Sequence, residues 1–201
     1  MKTTIYITWL LLTAAVGFAQ KELIIADVAE SQLPADIKWG GKFKRAWRWQ
    51  DKLGENLVVI SETGIYGSHE GHRNAEIFAY HFLLGETSKP IWKLYDFEKD
   101  CPVDVEAEFM DDAITDLDND GINEIWLVYK KACRGDVSPS EMKIIMYEGG
   151  KKYAMRGENK VQVSEKETYG GNYTFDEAFS KAKIFQKFAL KKWQENILQK
   201  W

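Results

Sequence analysis

The segment Asp116–Glu124, which reads DLDNDGINE, concentrates carboxylates around a glycine. Carboxylates this close repel one another by roughly 1 kcal/mol per pair in water, and by more near a protein surface. A bound cation would remove that repulsion, and oxygen ligands at this spacing are the ones that Ca²⁺ prefers. The segment therefore predicts a Ca²⁺ site whose ligands are Asp116, Asp118, Asp120, the backbone carbonyl of Ile122, and Glu124.

Two kinds of calcium loop share part of this pattern. An EF-hand has acidic residues at the same first positions and a glycine where Gly121 lies, but its twelfth position needs a bidentate Glu, and here that position is Leu127. Helices flank an EF-hand, whereas the flanking sequence here alternates as strands do. The pattern favours a strand–loop–strand site, and Ca²⁺ over the smaller Mg²⁺ because four carboxylates suit a large, flexible coordination shell. The alternative is an acidic surface turn that binds no ion.

The spacing D-x-D-x-D-G-x-x-[DE] resembles the calcium loops of FG-GAP and VCBS repeats, and the EIWLVY that follows resembles the apolar strand that continues such a blade. This resemblance implies a structural ion within a blade-like sheet. The longer stretches WQDKLGENLVVISETG and DLDNDGINEIWLVYKKACRGDVSPSEMKIIMYEG resemble a family of exported Gram-negative proteins labelled surface polysaccharide biosynthesis proteins. That second resemblance implies a cell-envelope context and brings no catalytic residues with it.

The elements that would position the loop read mostly as strands. FKRAWRWQD and VDVEAEF alternate apolar and polar residues, and Gly149-Gly150 is a hairpin signal. Residues 42–97 and 103–163 each hold about four such segments, which predicts two blade-like antiparallel sheets resembling part of a propeller. Thr174 and Glu177 fit a capping box, and the apolar period beyond them predicts one amphipathic helix over about 175–199. The predicted fold class is mainly β with this single C-terminal helix.

The first residues, MKTTIYITWLLLTAAVGFAQ, combine a basic start, a short apolar run and small residues. This pattern predicts a signal peptide over 1–19, followed by one domain over 20–201. We therefore expect export to the periplasm, the outer-membrane surface or the medium. No later apolar stretch is long enough to predict a transmembrane segment.

Two cysteines, Cys101 and Cys133, lie on either side of the acidic segment. An oxidising compartment favours a disulfide between them. A bridge that closes a loop of about 33 residues would contribute roughly 3–4 kcal/mol in the chain-entropy model. The alternative is two buried free thiols.

The charge balance bears on the partner. With 27 basic and 31 acidic residues, the chain has a net charge of −4, which argues against nucleic acid. A cell-surface glycan or an envelope protein is the expected partner. Aromatic side chains can stack on sugars, and Trp39 and Trp49 are the candidates for such a surface. His69, His72 and His81 lie within 13 residues, but their spacing does not match a zinc-protease motif.

No nucleophile elbow, P-loop or dinucleotide fingerprint occurs in the sequence. The sequence therefore favours an exported calcium-binding protein without an evident catalytic site, acting as a binding or assembly factor connected with surface polysaccharide. The alternative is a carbohydrate-active hydrolase, because the paired carboxylates of glycosidases leave no local motif.

Overall fold

The computed structural model describes residues 24–200, so the predicted signal peptide lies outside the described residues. The first half of the chain forms a five-stranded antiparallel sheet whose strands follow one another in chain order. A short 3₁₀ turn at Glu30–Gln32 precedes its long strands, and another at His69–Gly71 interrupts them. The strands are β1 (Ala26–Asp27), β2 (Lys42–Asp51), β3 (Gly54–Gly67), β4 (Arg73–Leu84) and β5 (Lys89–Cys101).

The second half adds a similar sheet and a small third one. The remaining strands are β6 (Asp104–Thr115), β7 (Glu124–Arg134), β8 (Glu141–Glu148), β9 (Lys151–Glu158), β10 (Lys160–Gln162), β11 (Thr168–Gly170), β12 (Tyr173–Phe175) and β13 (Leu198–Lys200). The second five-stranded sheet has the order β12-β9-β8-β7-β6, and the three-stranded sheet has the order β11-β10-β13. Each large sheet is thus a four-stranded meander with one short strand added at its edge. The prediction of a mainly β chain with two antiparallel sheets is confirmed.

The C-terminal helical segment departs from its predicted form. It consists of α1 (Glu177–Lys181) and α2 (Lys183–Asn196), separated at Ala182, whose φ of −114° and ψ of 76° are not helical. The predicted capping box at Thr174 is wrong. Asp176 is the N-cap, and its side chain accepts a 2.9 Å hydrogen bond from the backbone N–H of Phe179. Thr174 cannot be the N-cap of α1, because it belongs to β12 and pairs with β9.

Three apolar clusters lie between the layers of the fold and hold them together. The two large sheets pack face to face around side chains such as Trp49, Ile77, Leu127 and Tyr147. The helices cover the opposite face of the second sheet through Phe179, Phe185, Ala189 and Trp193. A third cluster lies between the outer face of the first sheet and the segment before β2. Within residues 24–200, no helix is long and apolar enough to cross a membrane.

The layering explains the sequence of β7. Its run of apolar residues does not alternate with polar ones, because both faces of the strand are buried. Ile125, Leu127 and Tyr129 face the first sheet, and Trp126 and Val128 face the helices. The loop that precedes β7 therefore leads into a strand that is fixed at the centre of the molecule.

A disulfide joins Cys101, at the end of β5, to Cys133, in β7, with a Cα–Cα distance of 5.6 Å. The predicted bridge is therefore present. Because β5 belongs to the first sheet and β7 to the second, the bridge links the two sheets. The chain between the two cysteines contains β6 and the acidic loop.

Candidate metal centre

The acidic loop connects β6, which ends at Thr115, to β7, which begins at Glu124. Its own side chains shape it. The backbone N–H of Gly121 donates to Asp116 Oδ2 at 3.2 Å, and that of Ile122 donates to Asp120 Oδ1 at 2.7 Å. Gly121 has a φ of +82°, which glycine adopts without the steric cost that a Cβ would bring. The loop thus folds back so that its carboxylates converge.

Glu124 is fully buried and anchors the base of the loop. Its carboxylate accepts hydrogen bonds from the Thr115 hydroxyl at 2.5 Å and from the backbone N–H of Leu117 at 3.0 Å. Burial raises the pKa of Glu124; the hydrogen bonds oppose this, and the nearby Asp118 and Asp116 carboxylates add to it. Hydrogen bonds hold this carboxylate, and no lysine or arginine among residues 24–200 forms an ion pair with it.

Glu148 is a further acidic residue of the centre that sequence analysis missed. It ends β8 and lies directly opposite Glu124 in the β7–β8 register. Carboxylate oxygens of Asp118, Glu124 and Glu148 lie within 4.8 Å of one another, and so do those of Asp116, Asp118 and Asp120. Asp118 belongs to both groups, so the two groups adjoin one another. Only the strand pairing brings Glu148 there, since it lies 24 positions beyond Glu124 in the sequence.

The unsatisfied groups of the centre fit a divalent cation. Asp116 Oδ1 and Glu148 Oε1 are buried oxygens without a hydrogen-bond partner in the described chain. Burial raises the pKa of Glu148, and Asp118 and Asp120 add to the effect. No lysine or arginine among residues 24–200 forms an ion pair with any of the five carboxylates. Hard oxygen ligands in this number match the coordination of Ca²⁺.

The turn between β2 and β3, which belongs to the first sheet, forms hydrogen bonds with the acidic loop. The backbone N–H of Lys52 donates to the carbonyl of Gly121 at 2.9 Å, and the Lys52 ammonium contacts the carbonyl of Asp120. The carboxylate of Asp51 accepts from the backbone N–H of Asn123 at 3.2 Å and from the indole N–H of Trp49 at 3.0 Å. The first sheet thereby contributes to the position of a loop that belongs to the second.

The two candidate glycan-stacking residues, Trp39 and Trp49, lie on opposite faces of the first sheet. Trp49 is only 3% exposed and lies between the two sheets, where its ring stacks on His81 at a centroid distance of 5.7 Å. It cannot present a face to a sugar, so that prediction is wrong for Trp49. The alternation of side chains along β2 places the Trp49 side chain on the face of the first sheet that the second sheet covers. Trp39 is partly buried and packs on the outer face of the first sheet.

The three histidines are not brought together around a metal. His69 and Glu70 lie in the exposed 3₁₀ turn, whereas His81 is buried in β4 and hydrogen bonds to Asn56 Oδ1 at 2.8 Å. Burial lowers the pKa of His81 to about 4. At neutral pH the His81 ring is therefore uncharged, and it packs in the core.

The structure also contains open depressions. One, of about 500 Å³, is lined by Arg156, Asn172 and Tyr173 among others. A second, of about 520 Å³, borders the first at Pro139 and Glu141. A glycosidase needs a carboxyl group with a raised pKa beside its substrate. Within the described residues, burial raises the pKa of the carboxyl groups of Asp112, Glu124 and Glu148, and none of these lines either depression.

Comparison with family models, with curated proteins and with solved structures finds no match to this chain. The resemblances to FG-GAP and VCBS loops and to exported polysaccharide-related proteins therefore stay predictions.

Proposed function

We propose that this protein is an exported, calcium-stabilised binding module of the bacterial cell envelope. The observation that carries the calcium part is the pair of three-carboxylate groups that share Asp118, in which Asp116 and Glu148 each have a buried oxygen without a partner in the described chain. The ligands would be Asp116, Asp118, Asp120, Glu124, Glu148 and the carbonyl of Ile122. When bound, the ion would neutralise the carboxylates and fix the loop to both β7 and β8.

The role of this ion is structural. Extracellular modules bind Ca²⁺ with dissociation constants of roughly 10⁻⁴–10⁻³ M. At ten times its dissociation constant, the ion adds only about 1.4 kcal/mol to the free energy of unfolding. That contribution can order a loop, and the buried position of Glu124 gives the ordered loop a rigid base.

Thermal unfolding with and without Ca²⁺ tests this part of the proposal. We expect millimolar Ca²⁺ to raise the melting temperature of the wild type relative to chelator. Asp118→Ala should abolish the rise, because Asp118 belongs to both carboxylate groups. His69→Ala is the control, since His69 lies in an exposed turn away from the loop. An equal rise in Asp118→Ala and wild type would refute the calcium site.

A binding or assembly role is favoured over catalysis by the pKa pattern. The carboxyl groups with raised pKa values cluster at the acidic loop or, for Asp112, beside Arg45, rather than in a depression that could hold a polymer. Incubation of the protein with bacterial surface polysaccharides should therefore release no reducing ends. Release that disappears after a single carboxylate-to-amide substitution would instead establish the hydrolase.

A further inference from the structure

The outer face of the first sheet carries an uncovered row of side chains along β5. Successive side chains of a strand point to opposite faces of the sheet. Leu94 points into the core between the two sheets, so its neighbours along the strand point outward. The outward side chains, called the β5 row, belong to Lys93, Tyr95, Phe97 and Lys99. Because β5 is the last strand of its sheet within residues 24–200, this row lies at the edge of the sheet.

The pairing of β5 with β4 shows that the row lies on one face. Tyr95 lies opposite Phe78 and Lys93 lies opposite Tyr80, and both β4 residues belong to the apolar cluster on the outer face. The segment before β2 packs on that cluster, in which Phe78 and Tyr80 are buried. The rings of the β5 row stay uncovered, since Tyr95 is 41% exposed and Phe97 is 40% exposed. One ligand on this face can therefore contact both rings and their neighbouring lysines.

Neighbouring side chains hold the two exposed rings in place. Phe78 stacks on Tyr95 with a centroid distance of 5.0 Å and an interplanar angle of 15°. The Phe97 ring follows at a centroid distance of 5.2 Å from Tyr95, tilted by 33°. The Lys99 ammonium lies 4.9 Å from the centroid of the Phe97 ring. Because these contacts already order both rings, a ligand that packs on them would lose little further side-chain entropy.

Lys93 adds a cation that no carboxylate among residues 24–200 neutralises. Its ammonium lies 5.3 Å from the centroid of the Tyr95 ring. The only acidic residue opposite the row in the β4 register is Glu76, which pairs with Lys99 at 3.3 Å and accepts a 2.6 Å hydrogen bond from the Tyr66 hydroxyl. An anion bound beside Tyr95 would therefore be attracted to Lys93 without displacing a carboxylate of the protein.

The shape and charge of the row select among anionic partners. A peptide that added to the edge of β5 would need pockets for its alternate side chains, and no residue of the row lines either depression described above. Nucleic acid would need many cations for its phosphates, whereas the row has one unpaired lysine in a chain of net charge −4. An acidic polysaccharide matches the row, because its sugars have an apolar ring face and a carboxylate.

We propose that the β5 row on the outer face of the first sheet binds an acidic polysaccharide whose sugars carry carboxylates. The sugar rings would pack on Tyr95 and Phe97, and a carboxylate would pair with Lys93. The edge position of β5 leaves room for the polymer to extend past the sheet. This inference rests on the proposed binding function and names its ligand class, and it does not depend on the calcium site.

Titration calorimetry with matched sugars tests the inference. The probes are oligomers of galacturonate, guluronate and mannuronate, each with its methyl ester, which keeps the ring and removes the charge. We expect at least one acid to bind the wild type and its ester to bind about fivefold more weakly, as expected for one exposed ion pair. Lys93→Gln should weaken the acid about fivefold and remove the difference between acid and ester. Tyr95→Ala should weaken both, and so should Phe97→Ala, which leaves the contact between Tyr95 and Phe78 in place.

Matched controls separate the possible failures. Lys183→Gln removes an exposed lysine of α2, and Tyr169→Ala removes an exposed tyrosine of β11, so both variants should bind like wild type. Asp118→Ala should lose the calcium response and keep sugar binding. The inference is overturned if no acid binds, if Lys93→Gln keeps the difference between acid and ester, or if oligothymidylate or an acidic peptide competes as well as the sugar. Equal binding of acid and ester that Tyr95→Ala weakens would overturn the acidic ligand and leave the proposed binding function standing.

Discussion

Strands β7 and β8 pair side by side, and the acidic residues at their two ends lie in opposite electrostatic surroundings. At one end Glu124 lies opposite Glu148, whereas at the other end Lys131 lies opposite Glu141. Around Lys131 the structure builds an ionic cluster whose members are Asp96, Glu98, Lys131, Glu141 and Lys143. In this cluster every carboxylate has an ammonium within 2.9 Å.

The pKa values follow this difference. Burial works against ionisation in the ionic cluster, but Lys143 holds the pKa of Asp96 low, and Lys143 and Lys131 do the same for Glu141. At the acidic loop, burial and neighbouring carboxylates act in the same direction and raise the pKa values of Glu124 and Glu148. Acidic residues that the protein itself neutralises indicate structure. Acidic residues that residues 24–200 leave without an ion pair, as at the acidic loop, are the basis of the calcium site proposed above.

Removing a cation from the ionic cluster should have the largest effect. Lys131→Ala leaves Glu98 and Glu141 without their common ammonium, in surroundings where its side chain is only 14% exposed. The ammonium is nearly buried and its partners are partly buried, so its loss should destabilise by about 3 kcal/mol, the lower end of the range for a broken buried pair. Urea unfolding at pH 7 measures the loss. Lys183→Ala, on the exposed face of α2, is the control and should change the stability little. A loss of similar size in both variants would contradict the distinction between the two ends.

Acid should destabilise the core through His81, which stacks on Trp49 near the acidic loop. Burial depresses its pKa to about 4, from 6.5 in the unfolded chain, and the nearby Asp51 opposes this only in part. The unfolded state therefore binds the proton first, so stability falls as the pH decreases from about 6.5 towards 4, by up to about 3 kcal/mol.

Urea unfolding over this pH range in wild type and His81→Gln checks the expectation. The substitution should flatten the dependence between pH 4 and 6.5, even if it lowers the stability at pH 7. His72→Gln, in the loop before β4, serves as the control and should keep the wild-type slope. An unchanged slope in His81→Gln would assign the acid sensitivity to other groups.

A pair of charge-neutralising variants gives the smallest and sharpest test. Without Ca²⁺, Glu148→Gln should raise the stability by about 0.5 kcal/mol, because it removes repulsion from the acidic loop. Glu98→Gln should lower it by about 1 kcal/mol, because Lys131 loses a partner at 2.8 Å. In millimolar Ca²⁺, Glu148→Gln should become less stable than wild type. Changes of the same sign in both variants under calcium-free conditions would contradict the comparison.

Local patterns were predictable from the sequence, and contacts between distant segments were not. The spacing from Asp116 to Glu124 is a local signal, and so are the hairpins and the alternation of the strands. Glu148 reaches the acidic loop only through strand register, which no short window of sequence records. Alternation assigns Trp49 to one of the two faces of its strand but does not indicate which face another layer covers. The capping motif at Thr174 does not reveal that this residue pairs with β9.

The Cys101–Cys133 bridge has a consequence for how the molecule opens. Apolar side chains and the ionic cluster hold the two sheets together, and without the disulfide each meander could loosen more independently of the other. With β5 tied to β7, amide protons in both sheets should exchange with solvent in one cooperative event. After reduction, the exchange rates of the two halves should separate, with the helix-covered half protected longer.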